Sequence, residues 1–260
     1  MTLLKPILYF SLFKYPLTEE EIFNFSKATS KEQIKLDLNE LVNDNIIYKI
    51  DDFYLTENNE TLIKRRLEGN KMAKNIYQKA LTISRLISKF PYVEGVGISG
   101  SLSKGYYDDD ADIDFFIITS PKRLWIARTF LILYKKIFLL NSRKYFCVNY
   151  FISSNALEIE EKNIFTATEL TTLLPMYGNG SFHKFYDENK WVENYLPNKT
   201  VTDGLSKLQV VKKPTATKIT EYFLDSKIGD WLDAAFLRIT YKKWKIKFNH
   251  LEERQFNVAM

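Results

Sequence analysis

Near the N-terminus, apolar side chains recur at Leu3, Leu4, Ile7, Leu8, Phe10, Leu12 and Phe13, a spacing that predicts a buried helix. Pro16 stops it, and Thr18-Glu19-Glu20-Glu21 has the form of a capping box that starts a second, short helix. A third helix is predicted from Thr29-Ser30, with Glu32 in its first turn and Ile34, Leu38, Leu41 and Val42 on its apolar face. Residues 46–50 and 53–55 flank Asp51-Asp52 and read as a hairpin. Residues 58–90 form a long mixed-charge helix with Ile76, Ala80, Ile83 and Ile87 facing inward.

The pattern then changes. Short apolar runs predict strands over 93–99, 113–119 and 144–152, with a helix over 121–140. Strands alternating with helices favour a core built on a mainly buried sheet. Helical spacing returns over 166–174, 182–195 and 217–250, and 196–216 reads as loop. The expectation is an α+β chain in four parts: a small helical module with a hairpin (1–57), a connecting helix (58–90), a central mixed sheet flanked by helices (91–160) and a C-terminal helical region (161–260).

Composition narrows the class. Hydrophobic residues make up 45% and aromatics 15%, which suits packed cores rather than disorder. The most apolar helix candidate, 124–140, is interrupted by Arg128, Lys135 and Lys136, so no membrane span is expected. The N-terminal apolar run lacks a small-residue cleavage site and acids follow it quickly, so it is not read as a signal peptide. A single cysteine, Cys147, excludes an internal disulfide framework and points to a reducing, cytoplasmic setting; it is most simply a small core residue. The net charge of +5 is unevenly spread: residues 1–70 are net acidic and the remainder net basic. A basic surround draws nucleotides, although the same excess also serves solubility.

The stretch with chemistry is 97–116, GISGSLSKGYYDDDADIDFF. Alternation in Asp112-Ile113-Asp114 places both carboxylates on one side of an extended segment. Two such acids repel unless a cation lies between them, and hard oxygen ligands suit Mg2+, which uses one or two carboxylates plus water and phosphate. Gly100-Ser101 offers backbone amides to a phosphate without obstruction from a Cβ. Three rival motifs fail. Gly95, Gly97 and Gly100 imitate a dinucleotide-binding fingerprint, but the acids follow too soon for the required helix. No lysine follows Gly100 or Gly105 directly, as a P-loop demands. Asp108, Asp110 and Asp112 imitate a calcium loop, yet Ile113 stands where glycine is needed and Thr119 where glutamate is. His183 and His250 have no metal-ligand spacing.

A strand, Ser99-Gly100-Ser101, a short spacer and then Asp112-Ile113-Asp114-Phe115 on the next strand resembles the polymerase-beta-type nucleotidyltransferase superfamily, which includes the aminoglycoside and minimal nucleotidyltransferases. The resemblance covers residues 91–155. It implies a magnesium-dependent transfer of a nucleoside monophosphate from a nucleoside triphosphate, most simply ATP, to an acceptor that the sequence does not identify. Gly100 and Ser101 would hold phosphates, Asp112 and Asp114 would be the catalytic metal ligands, and Lys104 would either reach a phosphate or face solvent. The family usually adds a third carboxylate from a neighbouring strand. The strand expected to carry it offers only Asn149, an amide that can coordinate a cation but brings no charge and takes no proton. Asp110, Glu158 and Glu160 are the remaining acidic candidates, and none sits at the expected place. The second reading is therefore a nucleotide-binding or regulatory protein of the same type with impaired turnover.

Three helices followed by a hairpin, over LFKYPLTEEEIFNF and LNELVNDNIIYKIDDFYLT, resembles a winged helix-turn-helix. Its would-be recognition helix carries Glu32, Asp37 and Glu40 against Lys31 and Lys35, a poor balance for phosphate neutralisation. Nucleic acid is accordingly the less favoured partner, and a packing or protein-contact role for this module is preferred. Tyr177, Phe182, Tyr186, Trp191 and Tyr195 are candidates either for an acceptor pocket or for core.

Overall fold

The computed structural model describes residues 3–199, 205, 208 and 212–247. The chain is α+β, with one sheet of three strands and one of four.

The first unit runs α1 (Leu4–Ser11), β1 (Leu17–Thr18), α2 (Glu19–Asn24), α3 (Lys31–Asn43), β2 (Tyr48–Ile50) and β3 (Phe53–Leu55). Thr18 and Glu21 form the expected capping box, and Ser30 caps α3 by accepting from the Gln33 amide. Asp51 takes a left-handed φ of 51° at the hairpin turn, a conformation short polar side chains tolerate. The sheet order is β1-β3-β2, all antiparallel, over a core of Ile7, Phe10, Ile22, Ile34 and Leu38.

α4 (Glu60–Ile87) has 28 residues, roughly 42 Å at 1.5 Å per residue, and connects this unit to the second sheet. Near its start Arg66 meets Glu21 through two bonds of 2.7 and 2.8 Å, with its guanidinium 4.4 Å from the Tyr15 ring centre and 4.6 Å from that of Phe53. Toward its end Ala73, Ala80 and Ile87 enter the core of the second sheet.

That sheet contains β4 (Val93–Ser99), β5 (Asp114–Thr119), β6 (Cys147–Ser153) and β7 (Leu174–Tyr177), ordered β6-β5-β4-β7. β4 is antiparallel to β5 and β7, whereas β5 and β6 run parallel and are joined through α6 (Leu124–Phe138). One face buries Val96, Ile98, Phe115 and Ile117 against α4 and α6. The other buries Phe116, Ile118 and Ile152 against α7 (Ile164–Thr172) and α8 (Asn179–Glu188). Two covered faces explain why Phe115-Phe116-Ile117-Ile118 is apolar throughout.

Several expectations need correction. β5 begins at Asp114, so Asp112 lies in the preceding loop; Ile113 still pairs by backbone, donating to Lys144 and accepting from Cys147. β6 starts three residues later than predicted. The helix expected over 166–174 ends at Thr172, and 174–177 adds a strand. Pro175 accounts for this, because proline disfavours helical backbone in the residue before it and cannot donate within a helix. The stretch 182–195 divides into α8 and a tight single-turn helix, Lys190–Asn194. The C-terminal stretch divides into α9 (Thr215–Leu224) and α10 (Lys227–Lys247); residues 200–204, 206–207 and 209–211 of the predicted 196–216 loop, like 248–250, lie outside the described residues. These helices cover α6: Asp233 accepts from the Ile126 amide at 2.9 Å and Asp230 pairs with Arg123 at 2.6 Å. Among the described residues no helix is long and apolar enough to cross a membrane.

Candidate functional site

Antiparallel pairing sets Ser99, the last residue of β4, directly opposite Asp114, the first of β5. The chain leaves β4 through Gly100 at φ +69° and enters α5 (Gly100–Ser103), a single turn of helix. A Cβ built on Gly100 would lie 2.5 Å from Asp114 Oδ2, closer than real contacts allow. Glycine is therefore required twice here, for its backbone angle and for the carboxylate packed against it. The Gly-Ser turn and the second aspartate, fourteen positions apart in sequence, are thus adjacent in space.

The loop from 105 to 113 returns the chain to Asp114 and is pinned from behind by α4. Asn70 donates to the Gly105 carbonyl at 2.6 Å, and the Tyr107 amide donates to that of Gly69. A Cβ at Gly69 would fall 2.2 Å from the Tyr106 ring, which explains a glycine inside a long helix. Arg65 and the Tyr106 hydroxyl both bind Asp108, at 3.4 and 3.0 Å. Ile113 is fully buried, whereas Asp112 and Asp114 are half-buried and line the same cleft. Burial first, then the charges of Asp112 and Glu169, raise the Asp114 carboxyl above the usual carboxylate range, against a hydrogen bond with Cys147 and the charge of Lys104. Cys147, expected in the core, is partly exposed and directly opposite Asp114. Burial and the neighbouring aspartates push its thiol up to about 12, so it stays protonated.

Asn149 occupies a bulge. The pairing of β5 with β6 steps from Phe115 opposite Val148 to Phe116 opposite Tyr150, leaving Asn149 as the extra residue. The side chain is exposed and lines the cleft. Among the acidic substitutes, Asp110, Glu158 and Glu160 do not line it, and Glu158 pairs with Lys162 at 2.6 Å. Glu57, Asp108 and Glu161 also line the cleft, and Glu169, the one charged residue of α7, is the carboxylate that meets Lys104. It binds Lys104 Nζ at 2.8 Å, and that ammonium also donates to the Gly100 carbonyl at 3.1 Å. In the sequence only its isolation on an otherwise uncharged helix marked it.

The cleft measures about 1600 Å3 and lies between the first unit and the second sheet, with Gly100, Ser101, Lys104, Asp112, Asp114 and Asn149 all on its surface. The aromatics proposed for an acceptor pocket lie elsewhere, with Tyr177, Phe182 and Tyr186 in the core. His183 is exposed away from the cleft, and His250 lies outside the described residues. Among the described residues no group of three or more His, Cys, Asp or Glu side chains is disposed to hold a metal ion. Two carboxylates on one cleft wall are hard oxygen donors of the kind that suit a cation keeping water and phosphate ligands, as Mg2+ does. The chain matches no protein-family model, no curated protein and no solved structure.

Proposed function

We propose that the chain is a cytoplasmic, magnesium-dependent nucleotidyltransferase, transferring a nucleoside monophosphate from ATP or another nucleoside triphosphate to an acceptor hydroxyl. The observation that carries the reading is Asp114 packed against Gly100, which brings a carboxylate and a phosphate-sized backbone turn into one cleft. In this reading Gly100 and Ser101 present backbone amides to the phosphates. Asp112, Asp114 and Asn149 hold Mg2+, which when bound supplies charge neutralisation at the reacting phosphate. Lys104 turns from Glu169 to a phosphate oxygen, and Glu169, so released, takes the proton of the attacking hydroxyl. Glu169 thereby supplies the acid that β6 lacks. The first unit's element order and its β1-β3-β2 sheet support the winged-helix reading, with packing rather than nucleic-acid binding as its role.

A second reading, nucleotide binding without turnover, is favoured by the neutral Asn149 and by Glu169 being held in an ion pair. Titration of the full chain with ATP, GTP, CTP and UTP in magnesium, read by thermal stability and by pyrophosphate release, tests both. Nucleotide at a hundred times its dissociation constant should add about 2.7 kcal/mol. No stabilisation by any of the four, or equal stabilisation of Asp112→Ala/Asp114→Ala, rejects the proposal. Stabilisation without pyrophosphate release across acceptors, unchanged in Asn149→Asp, favours the second reading.

A further inference from the structure

The cleft is larger than the roughly 300–1,000 Å3 of an ordinary ligand pocket, and the acidic turn occupies only part of its wall. Another part comes from the first unit, through the segment that follows α1, and from the first turn of α7. Phe13 and Phe165 line the cleft there and are 53% and 52% exposed, so each presents open ring surface to it. They are not loose. Both rings touch Tyr9, with centroid separations of 5.6 and 6.4 Å, so three aromatic rings run from α1 to α7. The backbone after Phe13 is also constrained: Lys14 adopts φ +53°, its amide donates to Ser11, and the Tyr15 amide donates to Phe10. A non-glycine residue in left-handed backbone carries strain that surrounding structure must offset, and such positions cluster at ligand sites.

One further contact ties this wall to the donor side of the cleft. Arg65 donates to the Phe13 carbonyl and to Asp108, each at 3.4 Å. Asp108 belongs to the loop between Lys104 and Asp112, so Phe13 is fastened to the same loop that carries the chemistry of the turn. We infer that Phe13 and Phe165 form a stacking wall for the nucleobase of the donor nucleotide, making the first unit part of the active site rather than an appendage. This rests on the function proposed above. Stacking needs only the π-face common to every base, so the wall would bind purine and pyrimidine triphosphates alike, with larger rings favoured.

The test compares ATP with inorganic tripolyphosphate, which has the phosphates but no base, each titrated calorimetrically with magnesium into the full chain. Phe13→Ala and Phe165→Ala should each weaken ATP about tenfold while leaving tripolyphosphate unchanged, and Phe13→Tyr should retain ATP affinity. Because both rings are half-exposed, the variants should melt with the wild type. Unchanged ATP affinity in both alanine variants overturns the stacking wall and leaves the nucleotidyltransferase reading intact. Equal losses for ATP and tripolyphosphate overturn it too, since they would mean a distorted phosphate turn. If the wild type binds neither ligand, the functional reading itself fails and the wall with it.

Discussion

Lys104 and Glu169 lie sixty-five residues apart in sequence and meet at 2.8 Å inside the cleft, the lysine from the end of the Gly-Ser turn and the glutamate from α7. Lys104 and Glu169 form a neutral pair beside Asp114, so removing either partner alters the charge there. Lys104→Met should therefore weaken ATP binding while leaving a carboxylate free beside Asp114. Glu169→Gln should keep ATP binding and reduce turnover by about 10²–10⁴-fold, the usual yield of a positioned base. Calorimetry paired with pyrophosphate release separates the two effects, and equal loss of binding in both variants would argue against separate roles.

Gly100→Ala should be poorly tolerated despite adding a single methyl group. The left-handed backbone costs roughly 1–2 kcal/mol for a residue with a Cβ, and the Cβ would displace the Asp114 carboxylate besides. Urea unfolding should report that loss, and magnesium-dependent ATP binding should vanish. Gly180→Ala, a helical glycine with open space around it, is the control and should be neutral or slightly stabilising.

Glu21→Gln should destabilise the chain by about 3 kcal/mol, because it removes the countercharge from an Arg66 guanidinium that stays buried. Glu21 also completes the capping box of α2, so the loss should include the first unit, visible as a lower urea midpoint.

Asp233 gives a pH signature far from the cleft. Burial is the main cause raising its carboxyl above the usual range, opposed by hydrogen bonds from the Ile126 and Trp125 amides at the start of α6. A folded pKa above the unfolded one means that the native state binds more protons between the two values. Stability should then fall as pH rises from the ordinary carboxylate range through the raised folded value, and level off above it. Asp233→Asn should flatten that part of the pH–stability curve, measured by thermal denaturation, while an amide oxygen still caps α6. A slope equal to that of the wild type would count against the assignment.

Much of this architecture was legible from residue pattern alone. The strand over 93–99, the long α4 and the capping box at Thr18 all follow from local rules, namely side-chain period, cap chemistry and proline placement, and local rules act over a few residues. That Gly100, Ser101, Asp112 and Asp114 share one cleft was also readable, because they lie in one short stretch that folds back on itself. Glu169, the bulge that exposes Asn149, the strand at Leu174–Tyr177 and the half-exposed Phe13 were decided by tertiary structure. Each depends on which distant element packs beside the turn, and that is settled by burying both faces of the second sheet and seating the first unit on α4. Local spacing carries no record of such pairings.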